Sequence, residues 1–259
     1  MQTIFDLGFH EGWDTDFYLR KGFRVVAVEA NPGLVARGRE RFSEEIGAGQ
    51  LVLVDRAIAG QADASITFHC RSERNEWSSV RKAGAERDGL PSMPVQVGTT
   101  TIERLFSQHG VPHYLKCDIE ESDDVGLEQL LAEPGKPKFV SFENGENVID
   151  GLSRAGYARF QIVNQGQLRL YRPPNPPREG AFAVQEFQGM TSGLFGEELD
   201  PRQWVGVAEI RERYALWRKL TAGQVDPIRR FVLKRFGKMT RRTWLVPSGW
   251  VDIHARREA

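Results

Sequence analysis

Two periods alternate along the chain, and the switches between them lay out most of its elements. Short apolar, β-branched runs over 4–7, 24–29, 51–57, 113–119, 138–142 and 156–163 read as strands. Between them, apolar residues three and four apart predict helices over 13–21 and 32–42, and another beginning at 99–105. Such a succession is the signature of a mostly parallel sheet covered on both faces. The punctuation agrees: Gly22 closes the first helix, and Asn31 caps the second ahead of Pro32 at its first position. The pattern is interrupted twice. Residues 65–70 alternate like an exposed strand and 71–94 are polar and glycine-bearing, which predicts a hairpin plus a mobile loop. Further on, the prolines of "YRPPNPPREG" deny regular structure to 172–180. Helical spacing returns over 207–219 and, in a basic amphipathic form, over 227–237; the closing "GWVDIHARR" reads as a strand tied into the sheet.

Composition narrows the class. A chain of 259 residues suits one α/β domain with an appendage. Apolar residues make up 40% and charged residues 27%, and no apolar run reaches the length of a membrane span, so no spanning segment is expected. Met1 leads directly into a strand rather than a secretory leader, from which a cytoplasmic location is expected. Cys70 and Cys117 are too few and too far apart for a disulfide framework or a zinc set, and are read as reduced and structural. The formal net charge of zero argues against a nucleic-acid partner, although the tail is locally basic.

The first turn carries the chemistry. A strand, a glycine-bearing turn and a helix place bare backbone and a positive helix end beside a ligand. Gly8 and Gly12 allow close approach, and Glu29 ends the second strand about 20 residues on, where a carboxylate can accept both hydroxyls of a ribose. Nicotinamide dinucleotides and S-adenosylmethionine share that plan. A dinucleotide wants G-x-G-x-x-G against its pyrophosphate. This turn instead holds Phe9, His10 and Glu11 between its glycines, and Asp6 and Glu11 would repel a pyrophosphate while favouring a cationic sulfonium and ammonium. S-adenosylmethionine is the better fit. Tight strand-to-helix packing is the plainer account of the two glycines, and the placement of Glu29 counts against it.

In order, "DLGFHEGWDTDFYLRKGFRVVAVEANP", "TTTIERLF", "YLKCDIEESDD" and "FVSFENGEN" resemble the FkbM-type methyltransferases, over about residues 4–165. That resemblance implies a Rossmann-like, doubly wound sheet of seven strands in the order 3-2-1-4-5-7-6, binding S-adenosylmethionine and methylating hydroxyls of sugars or natural products. It implies that Asp6, Gly8, His10 and Gly12 form the first cofactor motif, that Glu29 is the ribose acid, and that Asp55 and Ala57 line the adenine. "KCDIEESD" is similar to the family's lysine, aspartate and glutamate run, with Glu121 where glycine is usual.

Methyl transfer to a hydroxyl is an in-line displacement that needs alignment, exclusion of water and a proton acceptor. Asp118 and Glu120 end the fourth strand and Glu143 with Asn144 the fifth, at the edge where open α/β sheets hold ligands. Carboxylates in apolar strands are costly without a task, so Asp118, Glu120 and Glu143 are the candidate catalytic groups, with Asp118 also beside the cofactor. Asp118, Glu143 and Asn144 also resemble the magnesium set of catechol-type O-methyltransferases; a divalent metal is the less favoured reading. His10 and His254 are further candidate bases, although a lone histidine is more often structural.

"NEWSSV" at 75–80 offers Trp77 and hydroxyls to a polar acceptor, whereas Trp217 and Trp204 fall in the later appendage. Arg229, Arg230, Lys234, Arg235, Lys238, Arg241 and Arg242 could grip phosphate, a solvated face being the plainer account. The expected organisation is a cofactor-binding core over 1–171, a substrate-covering insert over 172–246 and a returning strand over 247–259. The competing readings are a nicotinamide oxidoreductase, a silent cofactor-binding scaffold and a nucleic-acid binder. Glycine spacing, the strand-end acids and the zero net charge, respectively, argue against them.

Overall fold

The computed structural model describes residues 1–73, 75–120, 122–143, 145–240, 242–247 and 249–258. The chain forms two compact units, Met1–Lys138 and Phe139–Ala259.

In the first unit β1 (Thr3–Leu7) leads through a tight turn into α1 (Trp13–Arg20), followed by β2 (Arg24–Glu29), α2 (Pro32–Arg41), the short α3 (Ser43–Gly47) and β3 (Leu51–Asp55). β1 and β2 pair in parallel from Thr3↔Arg24 to Leu7↔Val28, and β2 pairs with β3 up to Glu29↔Asp55. Ile4, Phe5, Leu7 and the whole of Val25 to Val28 are buried, which is why these strands read as continuous apolar runs rather than alternating ones. The Asn31 side chain accepts from the Gly33 amide at 3.0 Å, fulfilling the cap read from the sequence.

The strand expected over 51–57 splits at Arg56. β4 (Ala57–Ile58) pairs not with β2 but with β6 (Met93–Thr100), which also carries β5 (Ser65–Cys70), giving a separate three-stranded sheet in the order β4-β6-β5. The expected mobile loop over 71–94 is instead built: a 3-10 turn at Asn75–Trp77 and α4 (Lys82–Ala85) lie within it, and β6 begins before it ends. One buried guanidinium gathers this segment. Arg71 donates to the carbonyls of Ala85 at 2.6 Å and Leu90 at 3.3 Å and pairs with Asp88 at 2.7 and 3.0 Å, holding that carboxyl down to about 2. Thr99 and Thr100 stay in β6, so α5 (Ile102–His109) starts later than expected, with the Thr101 hydroxyl accepting from the Arg104 amide. β7 (Tyr114–Cys117) runs parallel to β1, and α6 (Asp123–Ala132) completes the unit.

The second unit comprises β8 (Phe139–Glu143), α7 (Glu146–Arg154), β9 (Arg159–Asn164), α8 (Val207–Thr221), α9 (Pro227–Thr240) and β10 (Val251–Arg256). β10 lies antiparallel between β8 and β9, from Asp252↔Glu143 to Arg256↔Phe139 on one side and from Val251↔Asn164 to Arg256↔Arg159 on the other. Between β9 and α8 the chain is irregular apart from 3-10 turns, yet it is packed: Phe187, Phe195 and Leu199 are buried, and the buried Glu198 accepts from the amides of Arg178 and Glu179.

The main sheet runs β3-β2-β1-β7-β8-β10-β9. Numbering only its own strands along the chain turns this into 3-2-1-4-5-7-6, a Rossmann-like doubly wound mixed sheet of seven strands, as expected. Cys70 and Cys117 are free and buried. Among the described residues, no helix is long and apolar enough to cross a membrane.

Candidate functional site

The sequence-predicted residues of the first unit gather at the carboxyl ends of β1, β2 and β7. At their centre stands a residue that the sequence reading quoted but did not select. Lys116, buried in β7, places its Nζ 3.2 Å from Asp6 Oδ1, 3.5 Å from Asp14 Oδ2 and 3.4 Å from Asp118 Oδ2, and donates to the Gly8 carbonyl at 3.3 Å. Burial alone would lower its pKa, but Asp6, Asp118 and Asp14 outweigh that and hold the ammonium well above the ordinary lysine range. Asp6 is buried completely and takes a second bond from the Thr15 hydroxyl at 2.7 Å. Three carboxylates thus face one ammonium. A charged residue inside the apolar "YLKCD" was the sequence signal for this network, because a lysine there needs an anionic partner.

The turn after β1 is shaped by close packing. Gly8 has φ +93° and Gly12 φ +75°, and a Cβ on Gly12 would meet the Phe9 and Phe42 rings at 2.6 Å. Close packing thus requires glycine at both positions, at Gly12 against Phe9 and Phe42 and at Gly8 against the Asp118 backbone at the end of β7, alongside any role toward a ligand. His10 also adopts a left-handed backbone, φ 52°, and its amide donates to Glu29 Oε2 at 2.8 Å while the Asn31 amide donates to Oε1 at 2.8 Å. The Glu29 carboxylate at the end of β2 is thereby locked onto the turn. Burial raises its pKa, and the backbone amides of Asn31, His10 and Ala30 act against the rise. A carboxylate has about four lone-pair sites, so the group retains capacity for a further donor.

The segment between β5 and β6 leans on the same turn. His10 Nε2 lies 2.8 Å from Asn75 Oδ1, and Asn75 Nδ2 donates to Glu11 at 3.4 Å. Ser79 donates to the Glu120 carbonyl at 3.3 Å, and Arg87 pairs with Glu120 at 3.2 Å while its guanidinium lies 4.3 Å over the Trp77 ring. Glu120 has a left-handed backbone, φ 42°. Burial and the neighbouring Asp118, opposed by Arg87, push its carboxyl up to about 7. Asp123, which accepts from the Ile119 amide at 3.2 Å, is likewise raised to about 7 by burial and Asp118. Asn75, Asp14 and Lys116 are the site residues that sequence reasoning missed; nothing in a polar loop 65 residues away announces contact with His10.

The remaining expectations fall elsewhere. Asp55 ends β3 beside Glu29 and pairs with Arg39 at 3.6 Å. Ala57 is buried with Phe68, Cys70 and Val97, and Ala30 packs against that cluster. Glu143 ends β8 in the second unit, where it pairs across the strands with Asp252. Asn144, Glu121 and Arg241 lie outside the described residues. Among the described residues, no three His, Cys, Asp or Glu side chains gather as a metal site. His254 is a core residue: burial pushes its imidazole down to about 3, so it stays neutral and sealed from solvent, the structural of its two readings rather than the base. Trp217 is buried in α8. The second unit also holds a cavity of about 340 Å³ beside Tyr171, Arg172 and Gln203. Its Arg178 and Arg202 are engaged, by the Glu198 and Leu199 carbonyls and by Asp200.

No family model matches the chain, and no curated protein matches it in sequence. Among solved structures it is similar to the Haemonchus contortus phosphoethanolamine N-methyltransferase 2 in complex with S-adenosyl-L-methionine, at 10% identity and TM-score 0.39, over 100% of this chain and 49% of that one. It is also similar to the [4+2]-cyclase SpnF, at 11% identity and TM-score 0.37, over 100% and 76% of the two chains. A third is the SAM-dependent methyltransferase from Thiobacillus denitrificans in complex with S-adenosyl-L-homocysteine, at 10% identity and TM-score 0.33, over 99% and 85%. The chain spans about half the length of the first of these.

Proposed function

We propose that the first unit binds S-adenosylmethionine and that the chain is an FkbM-type methyltransferase acting on a hydroxyl of a sugar, nucleotide sugar or natural product. The observation that carries this reading is the surplus of negative charge at the ends of β1 and β7, where Asp6, Asp14 and Asp118 face the single ammonium of Lys116. A pyrophosphate would meet repulsion there, whereas a sulfonium with an ammonium would be attracted. The donor set fits that ligand. Glu29, immobilised by the His10 and Asn31 amides, offers its oxygens to a ribose, and Asp118, about two-fifths exposed, is the member of the carboxylate cluster open to a ligand ammonium. Gly8 and Gly12 set the turn, His10 anchors it to Asn75, and Asp55, beside Glu29, is assigned to the adenine side.

When bound, the cofactor supplies an electrophilic methyl group on a good leaving group. The chain's own part is to orient the acceptor, exclude water and take the hydroxyl proton. Glu120, with a pKa near 7, is poised to exchange a proton at neutral pH, and Asp118 is the alternative acceptor. Trp77 and Ser79, held beside Glu120 by Arg87 and by the Glu120 carbonyl, are assigned to the acceptor side. No step in this scheme calls for magnesium.

Calorimetry with S-adenosylhomocysteine tests the proposal. Binding to the parent chain, reduced about tenfold by Glu29→Gln, is expected, since one charge-assisted ribose bond contributes about 1.5 to 3 kcal/mol. Binding of a nicotinamide dinucleotide in its place would overturn the assignment, and so would unchanged affinity in the variant.

A further inference from the structure

Helix α9 is held to its unit along one edge. Leu233 and Arg230 are half-buried and Gly237 is buried, positions three and four apart that share one face. Gly237 has no room for a side chain, since a Cβ there would lie 2.8 Å from the Arg242 carbonyl and 2.8 Å from the Leu245 side chain. The far side of the helix is apolar and open. Ile228 is 76% exposed, Phe231 63%, Val232 56%, Phe236 40% and Met239 75%. Their spacing lines them into one stripe. Arg229, Lys234, Arg235 and Lys238 are exposed along and beside it, and residues 227–240 contain no acid. Asp226 starts the helix by accepting from the amides of Ile228 and Arg229, each at 3.0 Å.

From this we infer that α9 is an interfacial helix that docks the chain on an anionic lipid surface. Both halves of the surface are needed to choose that occupant. A nucleic-acid groove would use the cations and leave five large apolar side chains in water, whereas an apolar protein groove would leave the cations without partners. An anionic bilayer takes the stripe into its acyl boundary and meets the flanking lysines and arginines with lipid phosphates. With 14 residues the helix is about 21 Å long, too short for a hydrocarbon core of about 30 Å, so it lies in the plane of the interface. The inference stands on the second unit alone and does not depend on methyl transfer.

Flotation of the full chain with vesicles of phosphatidylcholine, alone or mixed with phosphatidylglycerol, tests it. Binding to the anionic vesicles should be about tenfold or more stronger than to the neutral ones, because each cation near a charged surface adds about fivefold. Phe231→Ser combined with Met239→Ser should remove most of that binding without moving the thermal midpoint, as both side chains are exposed. Arg229→Glu with Lys234→Glu should do the same through charge. A Phe231→Trp reporter should shift its emission to the blue on anionic vesicles only. Failure to float with either vesicle overturns the inference, as does binding that survives the double serine variant. Light scattering that shows a dimer abolished by the serine variant, or RNA binding in place of vesicle binding, would equally overturn it, in favour of a second copy or a nucleic acid.

Discussion

The carbonyl oxygen of Asp118 occupies the place where a side chain on Gly8 would begin: a Cβ built there would come within 1.8 Å of it. The ends of β1 and β7 are clasped backbone to backbone at this point, with the Asp118 amide donating to Leu7 at 3.0 Å. Gly8→Ala must part the two strands and also bear a left-handed backbone, which alone costs about 1 to 2 kcal/mol. At Gly22, φ +83°, nothing stands within 4 Å. Urea unfolding should therefore show Gly8→Ala losing well over about 2 kcal/mol and Gly22→Ala only the backbone cost. Equal losses at the two sites would mean that β1 and β7 separate freely.

Glu29 has a structural role as well as its proposed ligand role, and two substitutions tell them apart. Glu29→Ala leaves the amides of His10 and Asn31 without their acceptor and should cost about 1 to 3 kcal/mol of stability. Glu29→Gln keeps one acceptor oxygen and should be the milder of the two. Thermal melts of both variants without ligand check the order.

Lys116→Met would leave Asp6 buried without the Lys116 ammonium, and a loss of about 3 to 5 kcal/mol at pH 8 is expected. Asp6→Asn in the same chain should recover part of it, which denaturant midpoints of the single and double variants measure. A deficit that Asp6→Asn left unchanged would point to lost packing instead.

Glu120 and Asp123 both titrate near 7 in the folded chain, above their unfolded values of about 4. A raised pKa stabilises the fold fully below the unfolded value, and that stability is lost as the pH rises through about 7. The parent should accordingly unfold at lower denaturant at pH 8 than at pH 6, and Glu120→Gln should reduce the difference. If Glu120 is the base, turnover rises through the same interval in the parent and falls about 100-fold or more in the variant. A chelator should leave turnover unchanged, and restoration by magnesium after its loss would reinstate the metal reading.

Legibility from sequence followed burial and distance along the chain. β1 and β2 announced themselves because both of their faces are covered, leaving Ile4, Phe5 and Val25 to Val28 as unbroken apolar text. β6 did not: its first half, with Met93 and Pro94 exposed, reads as loop, and its last residues, Thr99 and Thr100, run straight into the cap at Thr101. Glu29 stood out because it ends β2 about 20 residues after the turn, a signal that needs only local spacing. The contacts that position the rest join residues far apart in sequence, Lys116 to Asp6 across 110 positions and Asn75 to His10 across 65. A single strand pattern records that a lysine needs an anion, and not which one.

The staple at Arg71 determines how the segment over Asn75 can move. Its guanidinium holds Ala85, Asp88 and Leu90 at once, and the Arg71 amide donates to Ser78 at 3.0 Å. These bonds tie residues 78, 85, 88 and 90 to one arginine, so opening of the segment is expected to be cooperative. If the proposed ligand passes beneath Asn75, its observed association rate should level off with concentration, and Arg71→Leu should turn that plateau into a straight line.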